Sequence, residues 1–105
     1  MNIQILGDNI SLSSKVKKLI DAKINLKLEK LLTDFAPDLK IASMRVTKDK
    51  IGHFTVNFDM NLPKKEYLFA STSHVNLESA LIDLSEQIEK QIKRYKQTLV
   101  NYSLS

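Results

Sequence analysis

Seven apolar residues near the C-terminus, Leu77, Leu81, Leu84, Ile88, Ile92, Tyr95 and Leu99, constrain this chain more than any other feature. They recur in steps of four, three, four, four, three and four. At about 100° per residue they fall on one narrow stripe, as an amphipathic helix requires. The spacing predicts a helix over residues 76–96 with Asn76 as its N-cap, the side-chain oxygen taking a free N–H of the first turn. Such a helix must lay its stripe on something apolar, so the rest of the chain must supply a matching surface. Charge also sorts along it. Glu78, Asp83, Glu86 and Glu89 come first, and Lys90, Lys93, Arg94 and Lys96 come last. Macrodipole complementarity accounts for that order. It does not account for four cations in seven residues with no acid among them. That end is either a solvated face or a binding surface.

The matching surface is legible upstream. Asn2 to Leu6 reads as a short strand, and Gly7-Asp8-Asn9 as a turn. Ser13 or Ser11 can cap a first helix running to about Leu32, with Val16, Leu19, Ile20, Ile24, Leu28 and Leu31 as its apolar face. Phe35-Ala36-Pro37-Asp38 closes it, because proline disfavours continuation. Leu39 to Lys48 reads as a strand with Ala42, Met44 and Val46 facing one way, and Lys48 to Gly52 as a turn. From His53 to Met60, Phe54, Val56, Phe58 and Met60 alternate with polar residues. Asn61-Leu62-Pro63-Lys64-Lys65 is expected to form a hairpin loop, and Glu66 to Thr72 a fourth strand. Successive alternating strands imply an antiparallel sheet with one buried face. The predicted fold is therefore α+β: a β-α-β-β-β-α two-layer sandwich, a four-stranded sheet with two helices on one face. One domain is expected over 1–100, with a short frayed tail at 101–105.

Composition narrows the function. The chain has 105 residues, no cysteine and a net charge of +4, so disulfides and thiolate chemistry are out. The start MNIQILGDNI lacks the pattern of a signal peptide, and no apolar run is long enough to span a bilayer. A cytoplasmic location is the default expectation. With only two glycines, a glycine-rich phosphate cradle is excluded. His53 and His74 lie in different elements, away from metal-ligand spacing, and read as a strand residue and a loop residue. No nucleophile–base set assembles, so no enzymatic activity is expected.

Cations remain as the functional signal. Between Ser13 and Leu32 six lysines face Asp21 and Glu29, a net of +4 that equals the charge of the whole chain. Two basic helices side by side suit phosphate-rich RNA of fixed shape, where contacts go to phosphates and 2′-hydroxyls. Tyr67 and Phe69 share one strand face opposite Leu68 and Ala70. If the latter pair faces the helices, the aromatics lie on the open sheet face, where they can stack bases, fill between strands or form a dimer contact.

These motifs, in this order, resemble the ribosome hibernation-promoting factor and ribosome-associated translation inhibitor family, also called the sigma-54 modulation family. The resemblance runs from Met1 to about Lys96. MNIQILGDNISLS resembles the family's opening strand, glycine turn and helix cap. Ala22-Lys23 and Lys27-Leu28-Glu29-Lys30 resemble the end of its first helix. Ala70-Ser71 followed by Asn76-Leu77-Glu78-Ser79-Ala80-Leu81 resembles the entry to its second, and Lys90, Gln91, Arg94 and Lys96 its closing basic run. The chain departs at Asn76 (aspartate in the family), Glu78 (tyrosine), Ser79 (alanine) and Ile82 (aspartate). Lys23 and Lys27 are one residue further apart than in the family, which turns Lys27 by about 100° around a regular helix.

The resemblance implies a fold similar to the double-stranded-RNA-binding domain. It also implies a bacterial protein, monomeric when free, that docks in the small ribosomal subunit and contacts ribosomal RNA. It would stop translation by occupying the messenger and transfer-RNA channel, with no cofactor, metal, DNA or membrane involved. The RNA-binding residues it implies are Lys17, Lys23, Lys27, Lys90, Arg94 and Lys96. With 105 residues the chain resembles the short class of the family. Two other readings stand beside this one: a general structured-RNA-binding module, and a protein-interaction module pairing through its open sheet face or an edge strand.

Overall fold

Period-two alternation becomes a sheet with one dry and one wet face. The structure, a computed structural model, describes residues 2–33, 41–62 and 66–104. The strands are β1 (Asn2–Asp8), β2 (Ile41–Lys48), β3 (Phe54–Leu62) and β4 (Glu66–His74), in spatial order β1-β2-β3-β4. Ala42, Met44, Val46, Val56, Phe58, Met60, Leu62, Leu68 and Ala70 are buried on one face. Two helical layers cover it. The first runs without a break through α1 (Ser14–Ile20), a π-helical segment (Asp21–Asn25) and α2 (Leu26–Leu31); the second is α3 (Leu77–Leu104). The predicted β-α-β-β-β-α sandwich is therefore the observed α+β fold.

The stripe on α3 lands as its spacing requires. Leu81, Leu84, Ile88, Ile92 and Tyr95 are buried, with Leu77 half-buried against the same core. Asn76 caps the helix by accepting from the Ser79 N–H at 3.2 Å. Thr72 donates to the Ala80 carbonyl at 2.8 Å, which satisfies a buried hydroxyl and ties β4 to the first turns of α3. Ser13 caps the first helix, its Oγ accepting from the Val16 N–H at 3.3 Å. In the turn before β3, the Asp49 carboxylate accepts from the Ile51 and His53 N–H groups at 3.0 and 2.8 Å. Gly52 sits at φ 91°, where a side chain would be strained.

Four expectations are corrected. The sheet is mixed: β2, β3 and β4 pair antiparallel, but β1 pairs parallel to β2, Ile3 opposite Ala42 and Ile5 opposite Met44. A helix between two neighbouring strands is a crossover, and a crossover returns the chain in its original direction. β1 runs to Asp8, β3 to Leu62 and β4 to His74, beyond the ends read from alternation, while β3 begins at Phe54. Asn61 and Leu62 therefore belong to a strand and not to the hairpin loop, His53 to the turn and His74 to a strand. The first helix contains a π-helical segment that alternation of charge and apolar residues did not reveal. α3 continues past Lys96 to Leu104. The expected helix stop at Phe35–Asp38, the strand start at Leu39-Lys40, the loop residues Pro63-Lys64-Lys65 and Ser105 of the expected tail lie outside the described residues.

Candidate nucleic-acid interface

Each helix buries its apolar stripe on the sheet, so its charged residues are left on the outer surface and along the seam between the two. Ile20, Ile24, Leu28 and Leu32 are buried at successive steps of four. In a regular α-helix each such step drifts about 40°. The wider π-helical turn at Asp21–Asn25 offsets part of that drift and keeps the stripe on the core. It also keeps Lys23 and Lys27 on one side. Both reach carboxylates of α3: Lys23 Nζ lies 3.7 Å from Glu78 and Lys27 Nζ 2.9 Å from Glu89. Glu89 also holds Lys93, one turn on, at 3.2 Å. The i,i+4 pairing of Glu89 with Lys93 is legible from spacing alone; the pairing with Lys27 is not, because it depends on how two helices dock.

The six cations implied by the resemblance thus separate into groups. Lys23 and Lys27 are half-buried at the interhelical seam and ion-paired. They border a groove of about 500 Å³ together with Lys30, Leu31 and Ser85. Lys90 and Arg94 are exposed, one turn apart on the outer side of α3. Lys96 is half-buried, two turns beyond Glu89 on the same line of the helix. Lys17 is exposed on the opposite flank of the first helix, beside Ile3 and Ile5 of β1. Among the described residues, no carboxylate lies within 4.0 Å of Lys17, Lys90, Arg94 or Lys96. Hydrogen bonds from Lys27 and Lys93 hold the Glu89 carboxyl below its ordinary value of 4.5.

Around the β4 edge the surface changes character. Arg94 borders a cleft of about 180 Å³ with Glu66, Tyr67 and Tyr95. Tyr67 and Phe69 are 58% and 51% exposed on the open face, as their alternation with Leu68 and Ala70 predicts. Their surroundings are polar. Tyr67 donates to Asp59 at 3.1 Å and Ser71 to Asn57 at 2.6 Å. Two carbonyls of β4 are occupied: Gln91 donates to Phe69 O at 2.7 Å and Gln87 to Ser71 O at 3.2 Å. Those two glutamines cover an edge that could otherwise add a strand. His74 Nε2 meets the Asp83 carboxylate, which pins the end of β4 to α3. Among the described residues, no three His, Asp or Glu side chains converge to hold a metal, and no helix is long and apolar enough to cross a membrane.

Comparison with known proteins gives a consistent result. The model of the family described as "Sigma 54 modulation protein / S30EA ribosomal protein" matches residues 3–100. A ribosomal subunit interface protein from Coxiella burnetii superposes with a TM-score of 0.69 at 21% identity, over 92% of this chain and 99% of that one. The N-terminal domain of Protein Y from Thermus thermophilus superposes with a TM-score of 0.70 at 17% identity, over 90% of this chain and 99% of that one. At such identities the likeness is one of fold. No curated protein sequence matches significantly.

Proposed function

From the premise that the chain belongs to the sigma 54 modulation protein / S30EA ribosomal protein family, whose members are ribosome-associated factors, we propose that it is a translation inhibitor of the small ribosomal subunit. It docks through its helical layer against ribosomal RNA in the cytoplasm. It occupies the messenger and transfer-RNA channel and acts by presence, with no reaction catalysed. The observation that carries this reading is the pair Lys90 and Arg94. Both are exposed, both lack a carboxylate partner among the described residues, and both project from a helix whose other side is packed into the core. Charges on such a rigid support fit a fixed array of phosphates without ordering a loop first. Arg94 can engage a phosphate with two parallel N–H bonds. Lys17 and Lys96 extend the contact.

Co-sedimentation with purified small subunits tests the proposal. The wild-type chain should pellet with small subunits and intact ribosomes at low salt. About four phosphate contacts would weaken binding roughly a hundredfold between ~50 and ~200 mM salt. The double variant Lys90→Glu, Arg94→Glu should stay in the supernatant. A wild-type chain that fails to pellet at either salt sinks the reading. A second reading, a general RNA-binding module, is favoured by the exposure of Tyr67 and Phe69 on the open face. It requires free structured or single-stranded RNA to compete with subunits at equal nucleotide concentration, which a dedicated ribosome factor would not allow.

A further inference from the structure

Carboxylates stand where phosphates would have to sit. At the seam, Glu78 and Glu89 from α3 face Lys23 and Lys27 from the first helix. Lys27 and Glu89 are each only about a third exposed, whereas Lys93, the outer member of the triad, is 65% exposed. A phosphate seated on Lys27 Nζ would therefore lie beside the Glu89 carboxylate, in a place where water screens their repulsion less than at the open surface. A phosphate on Lys90 or Arg94 would displace no carboxylate within 4.0 Å among the described residues; Glu66 borders the Arg94 cleft without pairing with it. Glu78 and Glu89 also bridge the two helices, whose spacing is set by the apolar core beneath them.

Resting on the ribosomal-RNA reading above, we propose that Glu78 and Glu89 are selectivity residues. They withhold Lys23 and Lys27 from casual phosphate contact, leaving RNA to be gripped chiefly at Lys90 and Arg94. Polyanions without a matched shape find only the outer cations. The matched RNA surface gains no large contribution from the seam and does not need one. This makes the two glutamates, rather than a lysine, the residues that keep the protein off irrelevant RNA.

The test is a set of variants, Glu89→Gln, Lys27→Ala, their combination, and Arg94→Ala, assayed against small subunits and against an unrelated structured RNA. Glu89→Gln should tighten binding to the unrelated RNA about tenfold and steepen its salt dependence by about one phosphate contact. Binding to small subunits should change by less than about threefold. The added Lys27→Ala change should abolish the gain on unrelated RNA. Arg94→Ala should weaken subunit binding several times more than Lys27→Ala does. The inference falls if Glu89→Gln leaves unrelated RNA unaffected, or if Lys27→Ala costs as much on subunits as Arg94→Ala. The functional reading fails differently, through a wild-type chain that ignores small subunits. The unrelated-RNA arm still judges the role of Glu89 in that event.

Discussion

At the residue scale the decisive object is Glu89. Its carboxylate accepts from Lys27 across the seam at 2.9 Å and from Lys93 along its own helix at 3.2 Å. Two cationic donors favour the ionised form, so the folded-state value lies below 4.5, the lysine hydrogen bonds outweighing a partial desolvation. Linkage then fixes the sign. The stabilisation from a depressed carboxyl is fully present above its unfolded value and is lost as pH falls through the folded one. Acid therefore loosens the seam below about pH 4.5 and has no effect through Glu89 near neutrality. Carbon NMR of the glutamate carboxyls should place the Glu89 midpoint under 4.5, and Lys27→Ala should raise it. A midpoint at or above 4.5 in the wild-type chain would mean that the triad does not persist in solution.

At the element scale α3 shows how far spacing alone carries. Of the seven residues chosen from their steps of four and three, five are buried and Leu77 is half-buried, while the side chain of Leu99 lies outside what the structure describes. Ile82, off the stripe, is 39% exposed. Ile88→Ala should then cost about 2–5 kcal/mol in urea unfolding, as cavity-forming substitutions do, and Ile82→Ala within about 1 kcal/mol. Equal losses would mean that the helix is rotated from the orientation described. The alternation on β2, β3 and β4 was legible for the same reason, since a period of two or 3.6 is a local property of the chain. What spacing could not reveal depends on docking between elements. The parallel pairing of β1 with β2 follows from the crossover, not from Ile3 and Ile5. The pairs Lys23–Glu78 and Lys27–Glu89 join residues more than fifty positions apart. The π-helical segment left one trace, four buried residues in steps of four from Ile20 to Leu32, a run that drifts off a regular helix face. Of the cations implied by family resemblance, only the docked helices reveal which already hold a carboxylate: Lys23 and Lys27.

At the scale of the whole molecule the mixed sheet makes stability uneven. β3 lies between β2 and β4, with Val56, Phe58, Met60 and Leu62 buried under the helices. β1 lies at the opposite end from β4 and has one neighbour. Ile3 and Ile5 are only half-buried, and Leu6 is 60% exposed. The two edges are also treated differently. Two β4 carbonyls, of Phe69 and Ser71, are taken by Gln91 and Gln87 of α3, while among the described residues no side-chain bond to the backbone of β1 is seen. Parallel pairing further makes β1 depend on the whole 14–31 helical run being in place, since nothing shorter joins it to β2. Regions with little buried apolar surface open first. Native-state hydrogen exchange should accordingly find β3 amides protected to the global unfolding free energy and β1 amides exchanging through a smaller, separate opening. If the proposed docking engages Lys17, on the helix flank beside β1, binding to small subunits should raise β1 protection more than β3 protection. Uniform protection across the four strands would mean that β1 is as firmly held as the centre of the sheet, and that docking has no loose element to order.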